Sequence, residues 1–290
     1  MVMFLKGMDK IRSKLPDYPG KRIYLLPLRG IIGAILGYCF LILIDILPRL
    51  FPDIVFLTIL EPSLPILGTL FLGILALYLI AMLWTRRDQM KQEYGDRAYQ
   101  MMIPKGVTGV FLIPPIIFHA ATSIRSLPFG LPVNEWTTQF SQSLLPLLGI
   151  PSELDILGRL FLSGGIMLIG LLVVRSAVLT FGVDYMVVVY LYFPEESEIQ
   201  NHEIYSVVRH PAYMAGVILA VAAMVFRCSV YSIVLGIIGY LIFRIHIRRE
   251  EAELLDRFGE GYREYMEKVP ALHVRPRDLG LLVKFLRVQD

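Results

Sequence analysis

The sequence predicts an all-α fold: a polytopic transmembrane helical bundle of about six spans with a cytoplasmic helical C-terminal extension. Three observations predict it. Apolar residues make up 56% of the chain against 18% charged, with a mean hydropathy of +0.61, which leaves too little polar surface to cover a water-soluble domain of 290 residues. The apolar residues come in blocks, several approaching the roughly 20 residues that carry a helix across about 30 Å of hydrocarbon. Lys and Arg concentrate between alternate blocks, as they do when cytoplasmic loops retain them.

Taken in order, the blocks place helices at about 30–47, 64–84, 106–122, 156–180, 207–226 and 229–247. The first follows a basic segment, 1–29, with no small-residue cleavage pattern, and is expected to be kept as a span. The third carries Pro114 and Pro115 and should kink, with neighbouring helices satisfying the freed backbone groups. After the fourth come Asp184 and a second apolar run, 185–192, which either extends that helix or forms a separate piece. With both termini cytoplasmic, the inner segments collect Lys6, Lys10, Arg12, Lys14, Lys21, Arg22 and Arg29, then Arg86, Arg87, Lys91, Arg97, Lys105, Arg209 and the basic tail from Arg244 onward. The outer loops receive only Arg49, Arg125 and Arg227. The net charge of +3 therefore reports topology, and nucleic acid is not expected as a partner.

Beyond the last span, Leu254, Phe258, Tyr262 and Tyr265 recur on one helical face interrupted by Gly259 and Gly261. The tail 277–290 carries Leu279, Leu282, Val283 and Leu286 beside Lys284 and Arg287, which suits a helix in the membrane interface or a short packing helix. Cys39 and Cys228 are expected as packing residues, with no disulfide framework and no metal-ligand set. Asp45, near the outer end of the first span, is expected to be hydrated or paired with Arg49, and His119 to be a hydrogen-bonded packing residue. Arg175 should snorkel to the cytoplasmic interface, while Trp84 and Trp136 look like membrane-edge anchors.

Polar residues with chemical potential gather in two places. Tyr205, Arg209, His210, Pro211 and Tyr213 stand at a helix entrance on the cytoplasmic edge. Pro211 fits the first helical position, where unpaired N–H groups and the positive dipole end attract anions, and Arg209 adds a bidentate partner for a carboxylate or phosphate. After a hairpin of two spans come Arg248, Arg249, Glu250 and Glu251, a carboxylate pair able to hold a cation or simply a solvated charge run. Together the two groups complement a ligand that carries both signs of charge.

The combination of Tyr205, Arg209-His210-Pro211 and Tyr213 with Glu250-Glu251, Phe258-Gly259, Tyr262, Tyr265 and Val269-Pro270 resembles the isoprenylcysteine carboxyl methyltransferase family, which is akin to the phospholipid methyltransferases. The likeness covers roughly 195–276. It implies a methyltransferase core over 156–276, after N-terminal transmembrane helices at 30–155, and an S-adenosyl-L-methionine site at the cytoplasmic face. The acceptor would be a lipophilic small molecule or lipidated group reached from the membrane lipids, with carboxyl O-methylation among the reactions implied. Tyr205, Arg209, His210, Pro211, Tyr213, Glu250 and Glu251 would line the cofactor pocket, with Arg209 and Glu250 as the catalytic pair. Family members usually have Gly at the positions of Glu203 and Ala215, and an Arg associated with the substrate carboxylate where this chain has His246. His246 and Arg248 are therefore the candidates on the substrate side. Membrane sterol reductases that use NADPH also show Arg-His-Pro-x-Tyr, and an inactive protein of the same fold is a further reading.

Overall fold

The computed structural model describes residues 6–122 and 132–287, and among them the regular structure is helical, with no strand. Helices α1 (Met8–Ser13), α2 (Leu25–Leu50), α3 (Val55–Leu60) and α4 (Leu64–Thr85) are followed by α5 (Arg87–Tyr94), α6 (Ala98–Phe111) and α7 (Ile113–Thr122). Then come α8 (Glu135–Ser141), α9 (Ser152–Phe181), α10 (Val183–Met186), α11 (Val189–Tyr192), α12 (Pro211–Arg227), α13 (Val230–Phe258), α14 (Glu260–Lys268) and α15 (Leu279–Leu286). Among the described residues, five helical stretches are long and apolar enough to cross a membrane: Gly20–Leu50, Val55–Thr85, Arg87–Ala120, Leu154–Phe181 and Val230–Phe258. The fifth expected span, α12, is apolar but only 17 residues long, about 26 Å at 1.5 Å per residue.

Local chemistry explains where the helices break. Leu112 interrupts the third crossing between α6 and α7, two residues ahead of Pro114, where the missing N–H groups of two prolines leave the ladder open. Gly182, at φ 92, ends α9, so the apolar run that follows is a separate piece made of α10 and α11. Helix α12 begins at Pro211 and not at the predicted 207, because Val207 to His210 form the approach to the helix. Ser229 and Ser232 cap the start of α13 reciprocally, each side-chain oxygen accepting from the other's backbone N–H. That helix runs past the predicted end at 247 to Phe258, since residues 248–258 are mostly strong helix formers, and stops at Gly259, φ 56.

Small residues allow close packing. A Cβ on Gly109 would sit 2.9 Å from the Ala76 carbonyl oxygen, and one on Gly30 within 2.5 Å of the Phe111 ring. Helices α2, α4 and α6 pack together, α9 packs on α12, and α7 and α13 join the two groups. At one end of the bundle, buried Ile23, Leu26, Leu83, Tyr99, Met102 and Leu191 form one apolar cluster that includes Ile11 of α1, and the segment leading into α1 is tied down by Lys6 Nζ donating to the Thr180 carbonyl, 2.6 Å. Tyr262, Tyr265 and Val269 pack with Leu254 and Phe258, the face read from the sequence. Helix α15 inserts Leu282, Phe285 and Leu286 against the Ile204–Val208 cluster while leaving Leu279, Leu281 and Val283 exposed.

The opposite end holds Arg49 beside Glu61 at 3.6 Å, both side chains almost fully buried, with Val133 and Asn134 backbone N–H groups donating to Glu61. Arg227 donates there to the Ser141 carbonyl. Arg125 lies outside the described residues. Three expectations need correction. The buried Asp45 shares a hydrogen bond with His119 Nε2 at 2.5 Å, so its close partner is the imidazole of a facing helix and not only Arg49. Cys39 is exposed on α2 and does not pack. Trp84 turns inward against His246 and does not anchor the edge, whereas Trp136 is 59% exposed.

Candidate functional site

A cavity of about 480 Å³ opens between α4, α7, α9, α12 and α13. Its wall is polar at one end, where Arg209, His210, Glu250, Arg257, Tyr262 and the stretch Ser197–Gln200 meet. It is apolar at the other, where Ile80, Ile113, Ile117, Leu219, Ile242 and Phe243 line a throat between helices. The fold thus brings Tyr205, Arg209, His210, Pro211, Tyr213, His246 and Glu250 together around one cavity. Glu251 and Arg248 are not part of it. Arg248 is exposed on the far side of α13, since consecutive helical residues point about 100° apart.

Glu251 stands behind the wall and fixes it. Its Oε1 accepts from Arg209 Nε (3.0 Å) and Nη2 (2.6 Å) and from His210 Nε2 (3.1 Å). Arg209 Nη1 donates to the Met266 carbonyl at 2.8 Å and to that of Val269. Backbone bonds from Arg209 N to Pro270 O and from His210 N to Ala271 O complete the joint. Arg209 therefore ties the entrance of α12 to α13 and to the end of α14, a positioning role, while the same side chain also borders the cavity.

Glu250, one residue earlier, faces the cavity. Its Oε1 accepts from the Tyr190 hydroxyl at 3.2 Å, the Tyr213 hydroxyl approaches the same carboxylate, and Oε2 is buried with no hydrogen-bond partner. His210 Nδ1 lies 3.9 Å from Oε2. Burial, reinforced by the Glu250 charge, raises the Tyr190 phenol well above its ordinary value, so it stays a donor. Burial likewise raises Tyr205, Tyr262 and Tyr265, and the Tyr265 hydroxyl donates to the Tyr205 carbonyl at 2.6 Å. The first turn of α12 has no side-chain cap, and Ala212 and Tyr213 of that turn line the cavity, leaving N–H groups for an anion.

Four cavity residues escaped the sequence reading. Arg257 lies over the Tyr190 ring at 4.8 Å and pairs with Glu253, so it buttresses the partner of Glu250. Its spacing of seven from Glu250, on the same helical face, was the available signal. Tyr185, Val188 and Tyr190 come from the 183–192 piece, whose path hydropathy does not define. Glu203, where family members usually have Gly, adopts φ 49. A left-handed conformation is costly for a non-glycine residue, and the Thr180 hydroxyl, donating to Glu203 at 2.6 Å, helps hold it.

Residues 159–261 match the sequence pattern of the phospholipid methyltransferase family. The chain is 31% identical over 103 residues to a probable protein-S-isoprenylcysteine O-methyltransferase of Oryza sativa subsp. indica, covering 35% of this chain and 54% of that protein. It is 27% identical over 103 residues to protein-S-isoprenylcysteine O-methyltransferase A of Arabidopsis thaliana, covering 35% and 52%. The chain spans about half the length of the curated relatives it matches. No solved structure matches it. The likeness read from two separated motifs is thus borne out: the C-terminal part of the chain is similar to this group of membrane methyltransferases.

Proposed function

We propose that the protein is an S-adenosyl-L-methionine-dependent methyltransferase acting on a lipophilic or lipidated acceptor. One observation supports this most: a buried carboxylate oxygen without a partner, Glu250 Oε2, at the polar end of a cavity whose other end is an apolar throat between helices. The donor fits this arrangement. Its α-ammonium complements Glu250, its carboxylate the uncapped start of α12, and its adenosine the wall around Ile199, Phe258 and Tyr262. When bound, the donor supplies an electrophilic methyl on a sulfonium. The protein then has to align the acceptor and keep water out, which can lower the barrier by several kcal/mol. Retention of Lys and Arg on the inner side supports a cavity at the cytoplasmic face, with both termini there.

Calorimetric titration of the detergent-purified protein with S-adenosylhomocysteine tests the reading. Saturable binding that is lost in Glu250→Gln is expected. Binding of NADPH in place of S-adenosylhomocysteine would overturn the methyltransferase reading in favour of a reductase.

A further inference from the structure

The throat of the cavity contains one side chain that can take up a proton, His246. It sits one helical turn before Glu250 on the same face of α13, is buried, and lines the cavity where the polar end gives way to Phe243 and Ile242. Its imidazole stands edge-on between the rings of Trp84 and Tyr213, each centroid 5.4 Å away. Among the described residues it has no hydrogen-bond partner, although two aromatic rings fix its plane.

The cationic groups on the same wall are engaged elsewhere. Arg209 is committed to Glu251 and two carbonyls, Arg257 to Glu253 and Ser197, and His210 to Glu251. With the donor's carboxylate on the start of α12, an anionic acceptor head in the throat would find no permanent countercharge, only an imidazole that would first have to take up a proton among apolar side chains. An ammonium head would lose its hydration among Phe243, Ile242 and Ile113 with no carboxylate beyond Glu250, which the donor already uses. An uncharged hydroxyl avoids both penalties, and a neutral imidazole is its natural hydrogen-bond acceptor.

We infer that the acceptor presents an uncharged hydroxyl, of phenol type, on a lipophilic chain, and that His246 receives its proton. This rests on the methyltransferase reading and deepens it. In the step, a lone pair of the hydroxyl oxygen forms the O–CH3 bond and the C–S pair of the sulfonium goes to sulfur, giving a neutral thioether. The hydroxyl proton moves to the imidazole and from there to water at the polar end. The sulfonium donor is the only co-reactant.

The test uses Trp84 as reporter. The chain has two tryptophans, so Trp136→Phe, at an exposed position remote from the cavity, leaves Trp84 alone beside His246. This protein, saturated with S-adenosylhomocysteine as verified by calorimetry, is titrated with farnesylhydroquinone, N-acetyl-S-farnesylcysteine and farnesylamine at pH 7.5. At least tenfold tighter binding of the phenol than of the carboxylate or the amine is expected. With the phenol and S-adenosylmethionine, kcat/KM should fall on the acid side as one group in the histidine range protonates, and His246→Gln should abolish that limb. Equal or tighter binding of the carboxylate or amine, no response of Trp84 to any of the three, or an acid limb unchanged in His246→Gln would overturn the inference. Failure to bind S-adenosylhomocysteine would instead overturn the methyltransferase reading beneath it.

Discussion

Arg209→Met separates the positioning role of Arg209 from ligand binding. The substitution keeps an unbranched apolar stem and deletes the guanidinium, with its bonds to Glu251 at 3.0 and 2.6 Å, to the Met266 carbonyl at 2.8 Å and to that of Val269. The two ionised side chains are only 8% and 14% exposed, and removing one partner of a buried pair costs about 3–5 kcal/mol. His210 remains as a donor to Glu251, which moves the expectation to about 3 kcal/mol, or roughly two decades in an opening equilibrium. Because the lost carbonyl contacts lie at the end of α14, where helix carbonyls have no partners of their own, the loss is local. Hydrogen exchange of the detergent-purified protein is therefore expected to rise by about a hundredfold in peptides covering 260–276 and to stay unchanged in α4. Arg209→Met with Glu251→Leu should recover part of the loss, since no charge is then stranded. Unchanged exchange in Arg209→Met, or fully additive losses in the double variant, would refute the staple.

Three further outcomes follow from the packing and charge arrangement. Gly216→Ala places a Cβ 2.7 Å from the Phe243 ring, which has to swing into the throat; acceptor turnover should fall at least tenfold while S-adenosylhomocysteine binding measured by calorimetry changes less than twofold. Gly109→Ala puts a Cβ 2.9 Å from the Ala76 backbone carbonyl and forces α4 and α6 apart, so thermal denaturation in detergent should show a loss of about 1–3 kcal/mol, the usual cost of overpacking. Docking of α1 depends on Glu196, whose carboxyl is held below its ordinary value of 4.5 chiefly by the hydrogen bond from Lys14 at 2.6 Å. A depressed value means that this contribution is fully present above 4.5 and is lost as pH falls through the folded value, so exchange of residues 8–15, corrected for intrinsic rates, should rise on acidification below that point. Lys14→Ala should show the same rise at neutral pH.

How far the sequence reached depends on which forces decide each feature. Crossing helices were legible because a membrane imposes length and hydropathy directly, and the proline break at Leu112 because a missing N–H acts locally. The end of α13 was misread because hydropathy falls at 248 while helix propensity does not. That error mattered, since it hid the fact that His246, Glu250 and Arg257 share one continuous helical face. The two adjacent glutamates show the remaining limit. Their composition is identical, and sequence assigned both to the ligand, but the helix turns them apart, so Glu251 reaches back to Arg209 while Glu250 keeps a free oxygen toward the cavity. Motif spacing can bring a pair of carboxylates to the right turn of a helix. Which one holds the wall and which one faces the ligand is decided by the tertiary partner each can reach, here an arginine 42 residues away across a hairpin.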